Sequence, residues 1–248
     1  MDLDGKVRSM FEFSYLKPSN RDSNNGVEYI FNNDGMITKR TEFNSDESEF
    51  FEGYQLYEYD TENNMTNSSV YSLDNQLLGT SELEYNTVKD LIGVKVLSLE
   101  NKIYYRIEIQ YSKASNETTI VTEKKYDSLN RLVDHNNKTI NSNGRVVKST
   151  FYDIGVKGQY YETEHDPNGK PVKIIACDSL GNIKWTQIKK YSDKGLLSSQ
   201  SLISSDSITN RNWIVNYQFD DKNNWTKKYL IQDEDTTIYT ERKIEYYE

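Results

Sequence analysis

Two histidines and a single cysteine are the only imidazoles and thiol in the chain, so the search for chemistry begins with them. His165 and Cys177 each stand just before a turn of the same kind. A thiolate–imidazole dyad would make Cys177 a nucleophile if the two side chains met. Successive turns of a meander, however, lie at opposite ends of a strand, roughly 20 Å apart at about 3.3 Å per residue. The expected role of both residues is packing, with the free thiol acting as a small buried hydrophobe; His135 is the other imidazole. Two acidic runs, Asp46-Glu47-Ser48-Glu49 and Asp233-Glu234-Asp235, carry oxygen ligands of the kind Ca²⁺ takes. Neither has EF-hand spacing, and both fall at turns, where an acidic loop is solvated and discourages edge pairing. No G-x-x-x-x-G-K-[ST], G-x-S-x-G, H-E-x-x-H or C-x-x-C occurs. No catalytic, cofactor-binding or metal-binding set is therefore read, and the chain is expected not to be an enzyme. Sequons at Asn64, Asn67, Asn116, Asn137 and Asn224 matter only on a eukaryotic secretory route.

The elements that would position any site are more legible. A motif recurs from end to end: an aromatic or apolar residue, then Asp, Asn or Ser, two loose positions, then Gly or Asn. Sharp copies are Tyr126-Asp127-Ser128-Leu129-Asn130, His165-Asp166-Pro167-Asn168-Gly169 and Cys177-Asp178-Ser179-Leu180-Gly181. Asp, Asn and Ser bond nearby backbone, and Gly or Asn accepts φ > 0, so each copy is a hairpin turn. The opening residues form two interleaved series. One runs Phe31, Tyr59, Tyr85, Tyr111, Ile140, His165, Tyr191, Phe219; the other runs Phe43, Tyr71, Leu97, Tyr126, Tyr152, Cys177, Ile203, Ile231. Neighbours within a series are 25 to 29 residues apart. Between turns, segments such as Ile103–Tyr111 alternate apolar and polar residues, the period of a strand with one buried face.

The repeat predicts an all-β fold of about eight or nine hairpins in antiparallel meander order. An open sheet seldom exceeds about 10 strands without curling. The expectation is one domain over 1–248, a strongly curved or rolled sheet folded over its apolar face, on which the turn-opening residues fall. A flat sheet with both faces wet is the alternative, favoured by the 20 tyrosines and a mean hydropathy of −0.84. Tyr104-Tyr105, Tyr160-Tyr161 and Tyr246-Tyr247 put one ring on each face of a strand; strand packing is the expected role, and a platform of outer rings for sugars or a partner is the alternative. Net charge is −9, which repels phosphate backbones and argues against nucleic acid and anionic membranes. No apolar stretch is long enough for a membrane helix, and none resembles a signal peptide at the start.

Lys125-Tyr126-Asp127-Ser128-Leu129-Asn130-Arg131-Leu132-Val133 resembles the YD repeat of bacterial RHS proteins, Y-D-x-x-G-R followed by apolar residues, with Asn130 where Gly is usual. Phe219-Asp220-Asp221-Lys222-Asn223-Asn224-Trp225-Thr226-Lys227-Lys228 is similar to the Y-D-x-x-G-N-W-T-x-R ending of Bacteroidetes repeat proteins, many of them exported or lipid-anchored. Asp166–Pro171 is similar to MORN-variant hairpins of some antitoxins. The unit here is longer than the usual RHS spacing. The resemblance implies hairpin strips and a periplasmic or cell-surface home, a cytoplasmic one remaining open, and supplies no catalytic residue.

The leading expectation is a non-enzymatic binding or structural protein of the bacterial envelope, using its repeat surface on an unknown protein or glycan partner, with no nucleic acid and no membrane insertion. An antitoxin or immunity-type protein binding a basic partner is the alternative, motivated by the acidic balance. A glycan hydrolase using paired carboxylates is the third.

Overall fold

The computed structural model describes residues 3–15, 25–44, 53–115, 117–153, 156–205, 210–232 and 235–247. The strands are β1 (Val7–Tyr15), β2 (Asn25–Phe31), β3 (Ile37–Asn44), β4 (Gly53–Tyr59), β5 (Met65–Ser72), β6 (Leu77–Tyr85), β7 (Leu91–Leu97), β8 (Ile103–Lys113) and β9 (Thr118–Asp127), followed by β10 (Leu132–Asn141), β11 (Val146–Asp153), β12 (Val156–His165), β13 (Pro171–Cys177), β14 (Ile183–Tyr191), β15 (Leu197–Ser204), β16 (Arg211–Phe219), β17 (Trp225–Gln232) and β18 (Asp235–Tyr246). They form one antiparallel sheet in meander order.

The sheet does not stay open. β1 pairs with β2 on one side and with β18 on the other, from Val7↔Tyr246 to Tyr15↔Tyr239. This pairing closes an 18-strand β-barrel and overturns the expected open, rolled sheet of eight or nine hairpins. Rolling an open sheet still leaves two rows of unpaired backbone groups; closure pairs them with each other.

The turns follow the motif. At Asp127, the backbone N–H bonds the Arg131 carbonyl, the Asn130 N–H bonds the Asp127 carbonyl, and Oδ1 accepts the N–H groups of Leu129 and Arg131. The two backbone bonds recur at turns opened by Asn32, Asp60, Ser72, Asn86, Ser98, Asn141, Asp166, Asp178, Ser192 and Asp220. The fourth residue has positive φ in every one: Gly at 35, 144, 169, 181 and 195, Asn at 63, 75, 101, 130 and 223, and Lys at 89. This is a type I turn followed by a left-handed bulge residue. The register slips by one just inside the turn, as at Tyr59↔Met65 and Phe219↔Trp225.

One expectation about the faces fails. Phe31 and Tyr59 lie on the face that buries Met10, but Phe43 and Tyr71 lie on the opposite face, as their registers show. The reason is geometric. In a meander, a turn at one end maps onto a turn at the other by a half-rotation about the axis joining the strands, and that rotation exchanges the faces. Identical turn chemistry therefore places the two series on opposite faces, and each face carries aromatic rings.

By contacts the chain divides into two compact units, residues 1–82 with 213–248, and residues 83–212. In the first, Val7, Met10 and Phe31 form a buried cluster supported by Tyr29, Ile37, Ile244 and Tyr246. In the second, Val121, Ala176 and Cys177 are buried, and Phe151, Tyr161 and Trp185 pack in sequence with centroids 5.7 and 5.8 Å apart. Tyrosine hydroxyls brace neighbouring hairpins: Tyr59 donates to the Ile37 carbonyl at 2.7 Å and Tyr191 to the Pro171 carbonyl at 2.9 Å.

Candidate binding surface

On the face of the first unit opposite Met10, aromatic side chains fall in register across neighbouring strands. Tyr239 pairs directly with Tyr15 and with Tyr229, the ring centroids lying 5.6 and 5.1 Å apart. Along β1, Phe13 stacks on Phe11 at 5.1 Å, and Phe11 reaches Phe43 of β3 at 5.4 Å. Gly26 of β2 lies beneath; a Cβ there would sit 3.1 Å from the Phe13 ring, so the missing side chain is what lets that ring cross β2. On β4 and β5, Tyr54 and Tyr71 stack at 4.9 Å and 9°, with the Lys39 ammonium 4.6 Å above Tyr54. Such pairs add about 0.5–1.5 kcal/mol each beyond burial. They brace strands that bury little else, and they leave an aromatic surface with Phe43 exposed. Burial, reinforced by the nearby Glu241 carboxylate, pushes the Tyr239 hydroxyl up to about 12, so it remains a neutral donor.

The Met10 face of this unit carries charges beside its apolar cluster. Arg242 donates to Glu12 at 2.8 Å and lies 3.4 Å over Trp225, whose edge meets Tyr217 at 5.9 Å. Burial lowers the Arg242 pKa against the opposing pull of Glu12, and burial raises that of Tyr217. Nearby, Arg40 pairs with Glu42. In the second unit, Lys138 pairs with Glu123 on the face of Val121, while Arg106–Glu108, Lys148–Glu162 and Lys173–Glu164 lie on the opposite face. Both faces of the sheet thus carry charges in mid-strand.

The residues singled out for chemistry do not converge. His165 faces the side of Tyr161, whereas Cys177 faces the opposite side, paired with Tyr160. His135 stacks on Tyr152 at 4.4 Å and bonds Asn137 at 3.1 Å. The run at Asp46–Glu49 and the pair Asp233-Glu234 lie outside the described residues, as does the Asn116 sequon. Among the described residues no cluster of His, Cys, Asp and Glu could hold a metal. Asn224 is 2% exposed, so its amide is no acceptor for a glycan in the folded chain. Sequence reasoning raised a platform of exposed rings but missed which rings form it; the available signal was Phe43 and Tyr71 opening turns at the same end of the sheet, and hence sharing a face.

No family model matches the chain, and no curated protein does either. Among solved structures it is similar to a porin-like protein from Bacteroides vulgatus, at 9% identity and a TM-score of 0.47, covering 98% of this chain and 99% of that one. A porin-like protein from Bacteroides uniformis is similar at 12% identity and a TM-score of 0.37, covering 98% of both. The TcdB2–TccC3 complex without its hypervariable C-terminal region matches 89% of this chain and 19% of that one, at 10% identity and a TM-score of 0.18. Likenesses this loose carry no part of the functional reading below.

Proposed function

We propose that this chain is a non-enzymatic binding or structural protein of the bacterial envelope that works through one aromatic face of its sheet. The observation behind this reading is the aromatic surface of the first unit, built by Phe11, Phe13, Phe43, Tyr54 and Tyr71. A ring stacked on its neighbours is held rigid, so a partner that touches it loses little of its own binding energy to ordering. The envelope assignment rests on the resemblance of Phe219–Lys228 to the endings of exported repeat proteins. Spanning a bilayer is not part of this reading. A membrane barrel presents an unbroken apolar band to lipid, whereas in the second unit Lys148–Glu162 and Lys173–Glu164 occupy one face and Lys138–Glu123 the other.

The test has two parts. Immunoblots of fractionated host cells should find the protein with the envelope. Immobilised envelope fragments should retain the wild type but not a folded Phe11→Ser/Phe43→Ser variant. Recovery in the cytosol alone would overturn the location, and equal retention of the variant would overturn the surface.

A further inference from the structure

Turn tips are the most solvated positions of a hairpin, and they favour Asp, Asn, Ser and Gly. Three turns of the second unit depart from this in the same way. Leu99, Leu129 and Leu180 sit at the tips of the β7–β8, β9–β10 and β13–β14 turns, 62%, 70% and 87% exposed. In a meander these connections share one end of the sheet. At that same end, Ile103, Tyr104, Val133 and Ile183, just after the turns, are exposed too. The opposite end of the unit carries Ser142-Asn143, Pro167-Asn168 and Asp193-Lys194 at its tips, with Val88 as the apolar exception.

The charges at the leucine turns are as selective. The chain carries −9 overall. Yet each of these turns neutralises its own carboxylate: Lys102 reaches Glu100 at 2.5 Å, Arg131 reaches Asp127 at 2.7 Å, and Lys184 reaches Asp178 at 3.5 Å. An apolar rim neutralised in this way can approach an uncharged surface without Coulomb repulsion, and it gains nothing from an anionic one.

Spacing decides between kinds of surface. Strands repeat at about 4.8 Å, so the Leu99 and Leu129 turns stand roughly 10 Å apart and the Leu180 turn roughly twice that beyond. A folded protein would need a socket matched to each tip. A fluid lipid interface accepts isolated side chains wherever they fall, and a tyrosine such as Tyr104 suits the headgroup level.

We infer that this rim is a lipid-docking edge. The three leucine tips enter the headgroup–acyl boundary of a neutral bilayer, while the strands, with their mid-strand ion pairs, stay in water. This is surface contact, distinct from spanning, and it uses a different part of the molecule from the aromatic surface, so either can fail alone.

The experiment is flotation of the purified full chain with phosphatidylcholine vesicles. The wild type should float. A Leu99→Ser/Leu129→Ser/Leu180→Ser variant with an unchanged circular dichroism spectrum should partition at least about tenfold less, since most of the apolar area transferred is gone. Val88→Ser should behave as wild type. Adding phosphatidylglycerol should not strengthen binding, and raising salt should not weaken it. A wild type that stays at the bottom, a triple variant that floats equally well, or binding that needs anionic lipid would each overturn the proposal. If sedimentation instead shows an oligomer that the triple variant breaks, with no flotation, the rim joins copies of the chain and the lipid assignment falls.

Discussion

Asn224 grips the backbone of Asp4 with both ends of its amide: Nδ2 donates to the Asp4 carbonyl at 2.7 Å, and Oδ1 accepts the Asp4 N–H at 2.6 Å. The same Nδ2 lies 2.6 Å from the Tyr246 hydroxyl, which donates to Asp220 at 2.5 Å. The segment just before β1 is thus tied to the β16–β17 turn and, through Tyr246, to β18, beside the seam where β1 meets β18. Asn224→Ala would remove the shared partner of the Asp4 N–H and carbonyl and one of the two partners of the Tyr246 hydroxyl. We expect it to destabilise by about 2–3 kcal/mol in chemical denaturation. A loss below about 0.5 kcal/mol would show that water replaces the amide.

The tyrosine braces should each cost a single hydrogen bond. Tyr59→Phe and Tyr191→Phe remove the donor to Ile37 and Pro171 and should lower stability by about 1 kcal/mol each. Tyr104→Phe, at an exposed site, should fall within about 0.5 kcal/mol of wild type. Equal effects at all three positions would mean that ring packing, not the hydroxyl, does the bracing.

Arg242→Lys keeps the charge but loses the flat stack on Trp225 and the guanidinium geometry toward Glu12. The expected loss is about 1–2 kcal/mol, with a change in tryptophan fluorescence. An unchanged melt and spectrum would show that the cation alone matters there.

Two turn carboxylates set an acid limit. Asp178 is held down at about 2, first by the Asn182 side chain and then by the amides of Asn182 and Leu180. Asp127 is lowered too, first by the Arg131 amide and then by its guanidinium. A carboxylate whose folded pKa is depressed contributes its stabilisation fully above its unfolded value of about 4, and loses it as pH falls through the folded value. Thermal melts should therefore decline between about pH 4 and about 2, and Asp178→Ala should flatten that decline. A wild-type curve already falling at pH 6 would point to other groups.

Among the described residues, Lys89 is the one turn residue that is neither Gly nor Asn at positive φ, at 67°. The left-handed penalty of about 1–2 kcal/mol outweighs the roughly 0.5–1 kcal/mol of entropy that glycine costs. Lys89→Gly should thus stabilise by about 0.5 kcal/mol in urea unfolding, and a loss would show that the lysine side chain contributes more than its backbone costs.

Local chemistry was legible in the sequence and long-range pairing was not. The turn at Asp127–Arg131 could be read from residue types because its bonds join residues at most four apart. The Lys89 turn was obscured by a residue that tolerates the conformation poorly. The faces were misjudged because alternation within Ile103–Tyr111 says which residues share a side of β8, but not that the turns at its two ends open on opposite sides. Closure had no local signal at all: Tyr15 and Tyr239 are ordinary strand residues until they are opposite each other. The aromatic surface shared that fate, since Phe11, Phe13 and Phe43 meet only through the register of β1, β2 and β3.

The antiparallel seam between β1 and β18 also constrains how such a chain can vary. Strand direction alternates around the ring, so the ring closes antiparallel only when the number of strands is even. Losing or gaining one strand would bring the ends together parallel and set every later turn at the wrong end. Size can change only by whole hairpins. The repeat of 25 to 29 residues is therefore the smallest heritable step, and a duplication of that many codons is the mutation through which a relative of different circumference could arise.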